Sequence, residues 1–249
     1  MNTSFIIRWR LRTGSAWLFC VLLGLASLSP GREVRFLAWD DAMAERPIAL
    51  ISGGRHQPIE GFHPLQRSSA LTVHPAGEEG VPPYLVEGGE ARWMAEREGP
   101  GYSGLPLVIP PAVRNPLVIL IPAREGGLGL RTLVLEDDVR NFSWGSFRIL
   151  NTTASPLVLL TRGHRRELPS DWTPVDLSLN GDNNEPVVIG IEDPQQGLTL
   201  VYSSIWMPDS ESRRLVLILP SEDARLGYLH LKIIPEFKLP PPPADGTEP

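Results

Sequence analysis

The residues with the clearest metal-binding chemistry are two histidines and a glutamate in the first third of the chain, His56, Glu60 and His63. Imidazole and carboxylate groups are zinc ligands, but a zinc site needs three or four ligands that converge on one point. These three residues lie in a turn-rich stretch, without a predicted helix to fix their geometry. We therefore predict no metal site here.

A second set of possible ligands is the run Asn-Gly-Asp-Asn-Asn-Glu at positions 180–185, whose oxygen atoms suit calcium. The run lacks the full spacing of a calcium loop, and Asn, Gly and Asp are also the ordinary residues of turns. His164, which two arginines follow, fits a solvated hairpin end as well as it fits an anion site. We predict no metal and no cofactor at either place.

Sequence motifs of common enzyme classes are missing from the chain. It contains no G-x-S-x-G elbow, no G-x-x-x-x-G-K-[ST] loop, no H-E-x-x-H pair and no dinucleotide fingerprint. Cys20 is the only cysteine, and it lies in a segment that we expect to be removed on export. The mature chain would then have no disulfide and no cysteine nucleophile. The sequence therefore favours a non-enzymatic protein.

Aromatic side chains are the remaining candidates for a ligand site. Two tryptophans, Trp144 and Trp172, are flanked by polar turn residues, and exposed aromatic rings on a β-sandwich can stack on sugars. Trp39 lies at a predicted strand end and Trp206 within a strand, so we expect both to pack in the core or at an edge. Trp144 and Trp172 are therefore the candidate ligand-binding residues of an alternative function, a carbohydrate-binding module.

The N-terminus has the layout of a secretory signal peptide, because three arginines precede an apolar run at positions 16–28. That run is about 13 residues long, whereas a membrane-spanning helix needs about 20, so we predict a removable signal over residues 1–31. A retained anchor is the alternative. Cleavage is expected between Ser27 and Gly31, and Ala42–Ala44 is less favoured because cleavage there would remove a strand. The mature chain would be periplasmic or secreted, without a stable membrane span.

The charge of the chain argues against one class of partner. Its formal net charge is −6, and the signal region contributes three arginines and no acid, so the mature part is more acidic still. Nucleic-acid binding needs a basic surface, so we exclude a nucleic-acid partner. Another envelope protein or a glycan is the expected partner.

An internal repeat determines the predicted architecture. The segment LVILIPAREGGLG at 117–129 recurs as LVLILPSEDARLG at 215–227, in register and without a gap. A second match relates RFLAW at 35–39 to RILNT at 148–152. Such self-similarity indicates two copies of one structural unit. In each copy the continuous apolar run suits a strand that is central in a sheet or buried on both faces, and the proline after it ends the pairing.

Short apolar runs separated by Gly, Pro, Asn and Asp predict seven strands in each copy. The predicted strands are 33–39, 47–53, 69–75, 82–88, 105–110, 116–122 and 130–137, then 146–152, 156–163, 175–180, 186–193, 198–206, 213–220 and 228–235. The only helix candidate, Glu90–Glu98, is interpreted as a strand plus a turn. We predict an all-β fold of two tandem immunoglobulin-like sandwiches related by duplication, over 32–138 and 139–237, with a disordered proline-rich tail at 238–249.

The RILNTT strand, the following PLVLLTRGHRRELP and the terminal LVLILP hairpin resemble an uncharacterised group of exported bacterial sandwich proteins. The resemblance covers most of the mature chain, and it implies fold and compartment without any site residue. We therefore expect a non-enzymatic binding or scaffolding protein of the bacterial envelope that acts through sheet edges or loops.

Overall fold

The computed structural model describes residues 31–74, 81–96, 104–125, 127–179, 184–221, 223, 225 and 227–239. Three features of the sequence lie wholly or largely outside these residues, namely the predicted signal segment with Cys20, the proline-rich tail and the Asn-rich run at 180–183. Within the described residues the chain is all-β, with sixteen strands and two short α-helices.

The first half of the chain contributes eight strands, two helices and a short 3-10 turn at Gly127–Gly129. The strands are β1 (Arg32–Ala38), β2 (Ile48–Ser52), β3 (Arg55–Pro58), β4 (Leu71–Val73), β5 (Tyr84–Glu87), β6 (Leu105–Pro106), β7 (Pro116–Pro122) and β8 (Leu130–Glu136), and the helices are α1 (Asp41–Ala44) and α2 (Glu90–Glu96).

The second half of the chain contributes eight further strands. They are β9 (Ser146–Asn151), β10 (Leu157–Leu160), β11 (Arg165–Leu168), β12 (Val175–Ser178), β13 (Glu185–Asp193), β14 (Gly197–Trp206), β15 (Ser212–Pro220) and β16 (Leu229–Phe237). The predicted boundary between residues 138 and 139 lies in the connection between β8 and β9.

The strands form four sheets of four strands, and the two halves have the same strand order. The first half has the orders β4-β1-β7-β8 and β3-β2-β5-β6, and the second has β12-β9-β15-β16 and β11-β10-β13-β14. The pairs β1–β7 and β9–β15 are parallel, whereas the other strand pairs are antiparallel. The repeated segments therefore lie at equivalent positions, in β7 and in β15.

Each half has its own apolar core between its two sheets. In the first half this core includes Phe36 and Val118 from one sheet and Leu50 and Leu85 from the other. In the second half the core includes side chains of β9, β10, β13 and β15, among them Ile189. Burial of these side chains between two sheets is the arrangement of a β-sandwich.

A third apolar cluster joins the two halves, and we call it the shared core. Because successive side chains of a strand point to opposite faces, Val118 packs in the core of the first half while Ile119 faces the second half. In β15, Val216 likewise packs in the core of the second half, while Leu217 faces the first half. The shared core consists of Leu37, Leu117, Ile119, Ile121, Leu135, Leu150, Leu215, Leu217 and Ile234. The expectation that the repeated apolar strands are buried on both faces is confirmed.

The structure differs from the sequence prediction in its third strands and its helices. Each half has eight strands where seven were expected, because the polar segments of β3 and β11 pair as sheet edges. The prediction of a strand plus a turn over Glu90–Glu98 is wrong, since Glu90–Glu96 forms α2. Its residues are good helix formers, and Trp93 packs against β2 and β5. The unpredicted α1 is capped at its N-terminus by Asp40, whose carboxylate accepts a hydrogen bond from the Met43 amide.

Candidate functional site

The longest strand of the second half is β14, which lies at one edge of the sheet β11-β10-β13-β14. It is ten residues long and pairs along its length with β13. Among the described residues no other strand pairs with it, so one of its two edges has unpaired backbone donors and acceptors. Such an edge is a template for adding another strand.

The outer face of this sheet carries apolar side chains that the rest of the chain leaves exposed. Leu200 and Ile205 of β14 are 58% and 63% exposed, and Met207, which follows the strand, is 65% exposed. Neither Leu200 nor Ile205 belongs to the core of the second half or packs against it, so both face away from that core. Exposed apolar side chains on one strand offer contacts to a partner that pairs with that strand.

In the first half, a helix of the chain covers the outer face of the equivalent sheet, β3-β2-β5-β6. The connection between β5 and β6 includes α2, and Trp93 of α2 packs on Ala49, Ile51 and Val86 of the sheet. In the second half a three-residue turn joins β13 to β14, and no helix lies between them. β14 is also longer than its counterpart in the first half, with ten residues against the two of β6. The sheet that carries β14 therefore lacks a counterpart of α2 among the described residues.

The other edge strands of the described sheets carry the features that prevent further pairing. Charged residues, proline and short length are the usual protection of a sheet edge. β3, β8, β11, β12 and β16 each contain at least one charged residue, while β4 and β6 are three and two residues long. β14 has neither charge nor proline in its sequence, GLTLVYSSIW. It is thus the one long edge in the described part of the chain that carries neither charge nor proline, although its pairing with β13 has one register shift, between Ile189 and Gly190.

A cluster of buried charges lies where the two halves meet, and we call it the junction charge cluster: Arg35, Arg67, Asp137, Arg213 and Glu236. Arg35 donates to Asp137 at 2.8 Å and to Glu236 at 2.6 Å. Arg67 donates to Asp137 through Nε at 2.9 Å. Arg213, which is 1% exposed, donates to Glu236 at 2.7 Å. Since Arg35 and Asp137 belong to the first half and Arg213 and Glu236 to the second, these ion pairs link the halves.

Two residues of the junction charge cluster, Arg35 and Glu236, have pKa values shifted away from neutrality. Burial alone would lower the pKa of Arg35, but the charges of Asp137 and Glu236 outweigh it and raise that pKa. Burial would also raise the pKa of Glu236, but the charges of Arg67, Arg35 and Arg213 hold it below its ordinary value. General acids and bases need pKa values near the working pH. The cluster is therefore better suited to holding the halves together than to transferring protons.

A cleft of about 330 Å³ opens beside this cluster. Arg35, Asp137, Arg213 and Glu236 line it together with less buried residues, including Glu33. Its three acidic side chains outnumber its two basic ones, and each guanidinium on its wall already bonds a carboxylate. The cleft has no excess of positive charge to attract a free anion.

The two tryptophans singled out in the sequence are both half-buried, and each lies against an arginine. Trp172 stacks on Trp39 of the first half with ring centroids 5.6 Å apart, and Arg131 lies 4.5 Å from the Trp172 ring. Trp172 has φ 66°, a left-handed conformation that costs a bulky residue about 1–3 kcal/mol. Arg213 lies 5.2 Å from the Trp144 ring. Trp172 thus contributes to the contact between the halves.

The histidines considered as ligands do not come together. His56 makes a 3.2 Å hydrogen bond with the Gly88 carbonyl, and His63 accepts one from the Leu65 amide, while Glu60 is exposed. The described part of the chain contains no group of three or more His, Cys, Asp or Glu residues that could hold a metal ion.

Neither the charge cluster nor the free edge is marked by a local sequence motif. The residues of the cluster are brought together from positions as far apart as Arg35 and Glu236. The uncharged run of β14 was the one available signal for the edge, since sheet edges usually carry charge.

No helix in the described residues has both the length and the hydropathy to cross a membrane. No family model and no curated protein matches the sequence.

Proposed function

We propose that this chain is a non-enzymatic binding or scaffolding protein of the bacterial envelope and that β14 is its contact strand. The observation that carries the proposal is the free, uncharged, ten-residue edge of β14 beside exposed Leu200 and Ile205. Strand addition at an exposed edge is a common mode of protein recognition, in which backbone hydrogen bonds supply affinity and alternate side chains supply specificity.

The proposal includes export and an origin by duplication. The basic and apolar layout of residues 1–31 supports export to the periplasm or beyond the cell. The ungapped repeat of 117–129 at 215–227, together with the matching strand orders of the two halves, supports two immunoglobulin-like domains derived from one ancestral unit. In this view the second domain lost, or never acquired, the helix that covers the first.

The pKa directions support a non-enzymatic role. Among the described residues, each carboxylate with a shifted pKa is lowered, and each shifted arginine is raised. Lys232 differs, since burial lowers its pKa, but its ammonium donates to the Trp39 carbonyl in the contact between the halves. Catalytic sites typically shift such groups towards neutrality.

The test is capture of a partner from envelope fractions of the source bacterium. Ile205→Lys places a charge beside the β14 edge, and we expect at least a tenfold loss of the captured partner. Val108→Lys, which alters a 74% exposed residue of the first half, is the matched control and should capture as the wild type does. Equal melting temperatures would show that both variants are folded. Equal capture by the two variants, or no capture by the wild type, would contradict the proposal.

The alternative is a carbohydrate-binding module that uses Trp144 and Trp172. Both rings are half-buried and already contact a guanidinium, Arg213 or Arg131, which favours the protein-binding proposal because sugars need an open aromatic face. A glycan array separates the two functions. Reproducible hits that disappear in Trp144→Ala would support the alternative, whereas an array without hits would count against it.

A further inference from the structure

We infer that the partner of β14 is the β14 strand of a second copy of this chain, paired antiparallel about a twofold axis. The two sheets β11-β10-β13-β14 would then form one continuous sheet of eight strands. This inference rests on the proposed function, in which β14 is the contact strand, and it names what that strand binds.

The charge of the chain supports a second copy as the partner. Antiparallel pairing about a twofold axis places the first residues of one strand opposite the last residues of the other. Because β14 contains no charged residue, no like charges face each other in any register of this pairing. Elsewhere two copies of a chain with net charge −6 repel each other. The uncharged strand is therefore the surface where two copies can approach closely.

The number of free edges predicts where assembly stops. A twofold contact uses the same surface on both copies and closes as a dimer, whereas a contact between two different surfaces can continue into a filament. The remaining edge strands are short or charged, so within the described residues β14 is the one long edge without charge or proline that each copy offers. Pairing of β14 with itself uses that edge on both copies and leaves none for a third.

The size of the contact predicts a weak dimer. A ten-residue strand is about 33 Å long, and pairing along it buries less than the roughly 800 Å² per partner of a stable interface. Leu200, Ile205 and Met207 add apolar area at the junction. We expect a dimer that dissociates in the micromolar range, so that dilution separates it.

Sedimentation velocity of the purified full chain over a range of concentrations tests the dimer directly. Ser203 is an exposed residue near the middle of β14. Ser203→Lys places a positive charge on each of the two paired strands, and we expect it to give a monomer at every concentration. Ser203→Thr keeps the strand uncharged and should dimerise as the wild type does. Equal melting temperatures of the two variants exclude loss of folding as the reason.

Cysteine scanning identifies the geometry of pairing. In a Cys20→Ser background the chain has no native thiol, so single cysteines can be placed at each position from 199 to 204. A disulfide needs Cα atoms about 4.4–6.8 Å apart, and each residue away from a twofold axis separates equivalent positions by roughly 7 Å. We expect crosslinking at one or two adjacent positions, with a steep fall on both sides. Ser178→Cys on the β12 edge should not crosslink.

The outcomes separate this inference from the proposed function. Concentration-dependent dimers and a centred crosslinking pattern support the homodimer. A monomer without such a pattern overturns it. If the chain is a monomer and Ile205→Lys still abolishes capture from envelope fractions, the homodimer is wrong while the proposed function stands. If the chain is a monomer and Ile205→Lys does not reduce capture from envelope fractions, both the homodimer and the proposed function are wrong.

Discussion

At the scale of single residues, the junction charge cluster shows how this chain tolerates buried charge. Arg213 and Asp137 are almost fully buried, and each bonds a partner of opposite sign. Arg67 keeps Nη1 buried without a hydrogen-bond partner, and an unsatisfied buried donor of this kind costs about 1–3 kcal/mol. The cluster therefore adds specificity to the contact between the halves more than it adds stability.

Glu236 gives this cluster a predictable pH dependence. Its pKa lies below the ordinary value when the chain is folded, so the unfolded chain binds the proton more tightly. Its contribution to stability is complete above the unfolded pKa of about 4.3, and it is lost as the pH falls through the folded pKa. We expect Glu236→Gln to lower the free energy of unfolding by about 3 kcal/mol at neutral pH.

Urea unfolding of the wild type and Glu236→Gln at several pH values is the measurement. The difference in free energy of unfolding should narrow as the pH falls below about 4.3, because the unfolded wild type then takes up a proton, and it should be smallest below the folded pKa, where both states are protonated. Glu192→Gln is the control, since its pair with Arg165 is exposed and such pairs contribute at most about 1 kcal/mol. If the difference in free energy of unfolding between the wild type and Glu236→Gln does not change with pH, the charge of Glu236 does not contribute to stability.

At the scale of elements, the sequence predicts the strands of the core well and the edges less well. The repeated apolar run at 116–122 corresponds to β7 because its composition is that of a buried strand. β3 and β11 were missed because the sequences RHQP and RREL have no apolar pattern, and their pairing depends on the neighbouring strands β2 and β10. α2 depends in part on packing by Trp93, which a local pattern does not contain.

The candidate site was only partly accessible to sequence reasoning. The run 198–206 predicts a strand, but its place at the edge follows from the order of pairing across the sheet. The junction charge cluster depends on contacts between residues up to 201 positions apart, as for Arg35 and Glu236, and no spacing rule links them. Trp172 was singled out for its polar neighbours, yet its ring is half-buried against Trp39 of the other half.

Gly190 in β13 offers a test of how β14 is held. A Cβ at this position would lie 2.7 Å from Leu198 Cδ1 and 2.9 Å from the Thr199 carbonyl oxygen, closer than real contacts allow. The second of these atoms is backbone, so β14 itself would have to move. We expect Gly190→Ala to lower the free energy of unfolding by about 1–3 kcal/mol.

The matched control for this change is Gly163→Ala. A Cβ there meets no atom within 4 Å, so we expect a change within about 0.5 kcal/mol. Both variants are compared by urea unfolding. Equal stabilities would mean that β14 adjusts freely around Gly190, and β14 would then be too mobile to act as a preformed edge.

At the scale of the whole molecule, the two halves share apolar burial. Four sheets lie in sequence with three apolar layers between them, and the shared core is the middle layer. The stacked tryptophans Trp39 and Trp172 and the ion pair between Arg35 and Glu236 lie across the same contact. Domains joined by a polar contact move independently by default, whereas an apolar contact of this kind restricts such motion.

Calorimetry tests this coupling. We expect the wild type to unfold in one cooperative transition, because separating the halves would expose the shared core. Leu217→Ala removes apolar contact from the shared core and should cost about 2–5 kcal/mol. Leu217→Ala should also separate the unfolding of the two halves into two calorimetric transitions. Val216→Ala changes the adjacent residue, which faces the core of the second half, and should lower the melting temperature without such separation. Two transitions in the wild type would contradict the coupling.

The parallel pairing of β1 with β7, and of β9 with β15, has a consequence for how quickly the protein folds. Arg35 is aligned with Leu117, and Arg148 with Leu215, so each of these parallel pairs joins two segments that are far apart along the chain. The entropy of closing such long loops is lost before the contacts between the strands can stabilise the fold. Chains rich in non-local strand pairs therefore fold slowly, with folding times of about milliseconds to seconds. A truncated half that ends before β7 keeps β4 as a partner for β1 but lacks the central strand of that sheet, so we expect it to stay unfolded during synthesis.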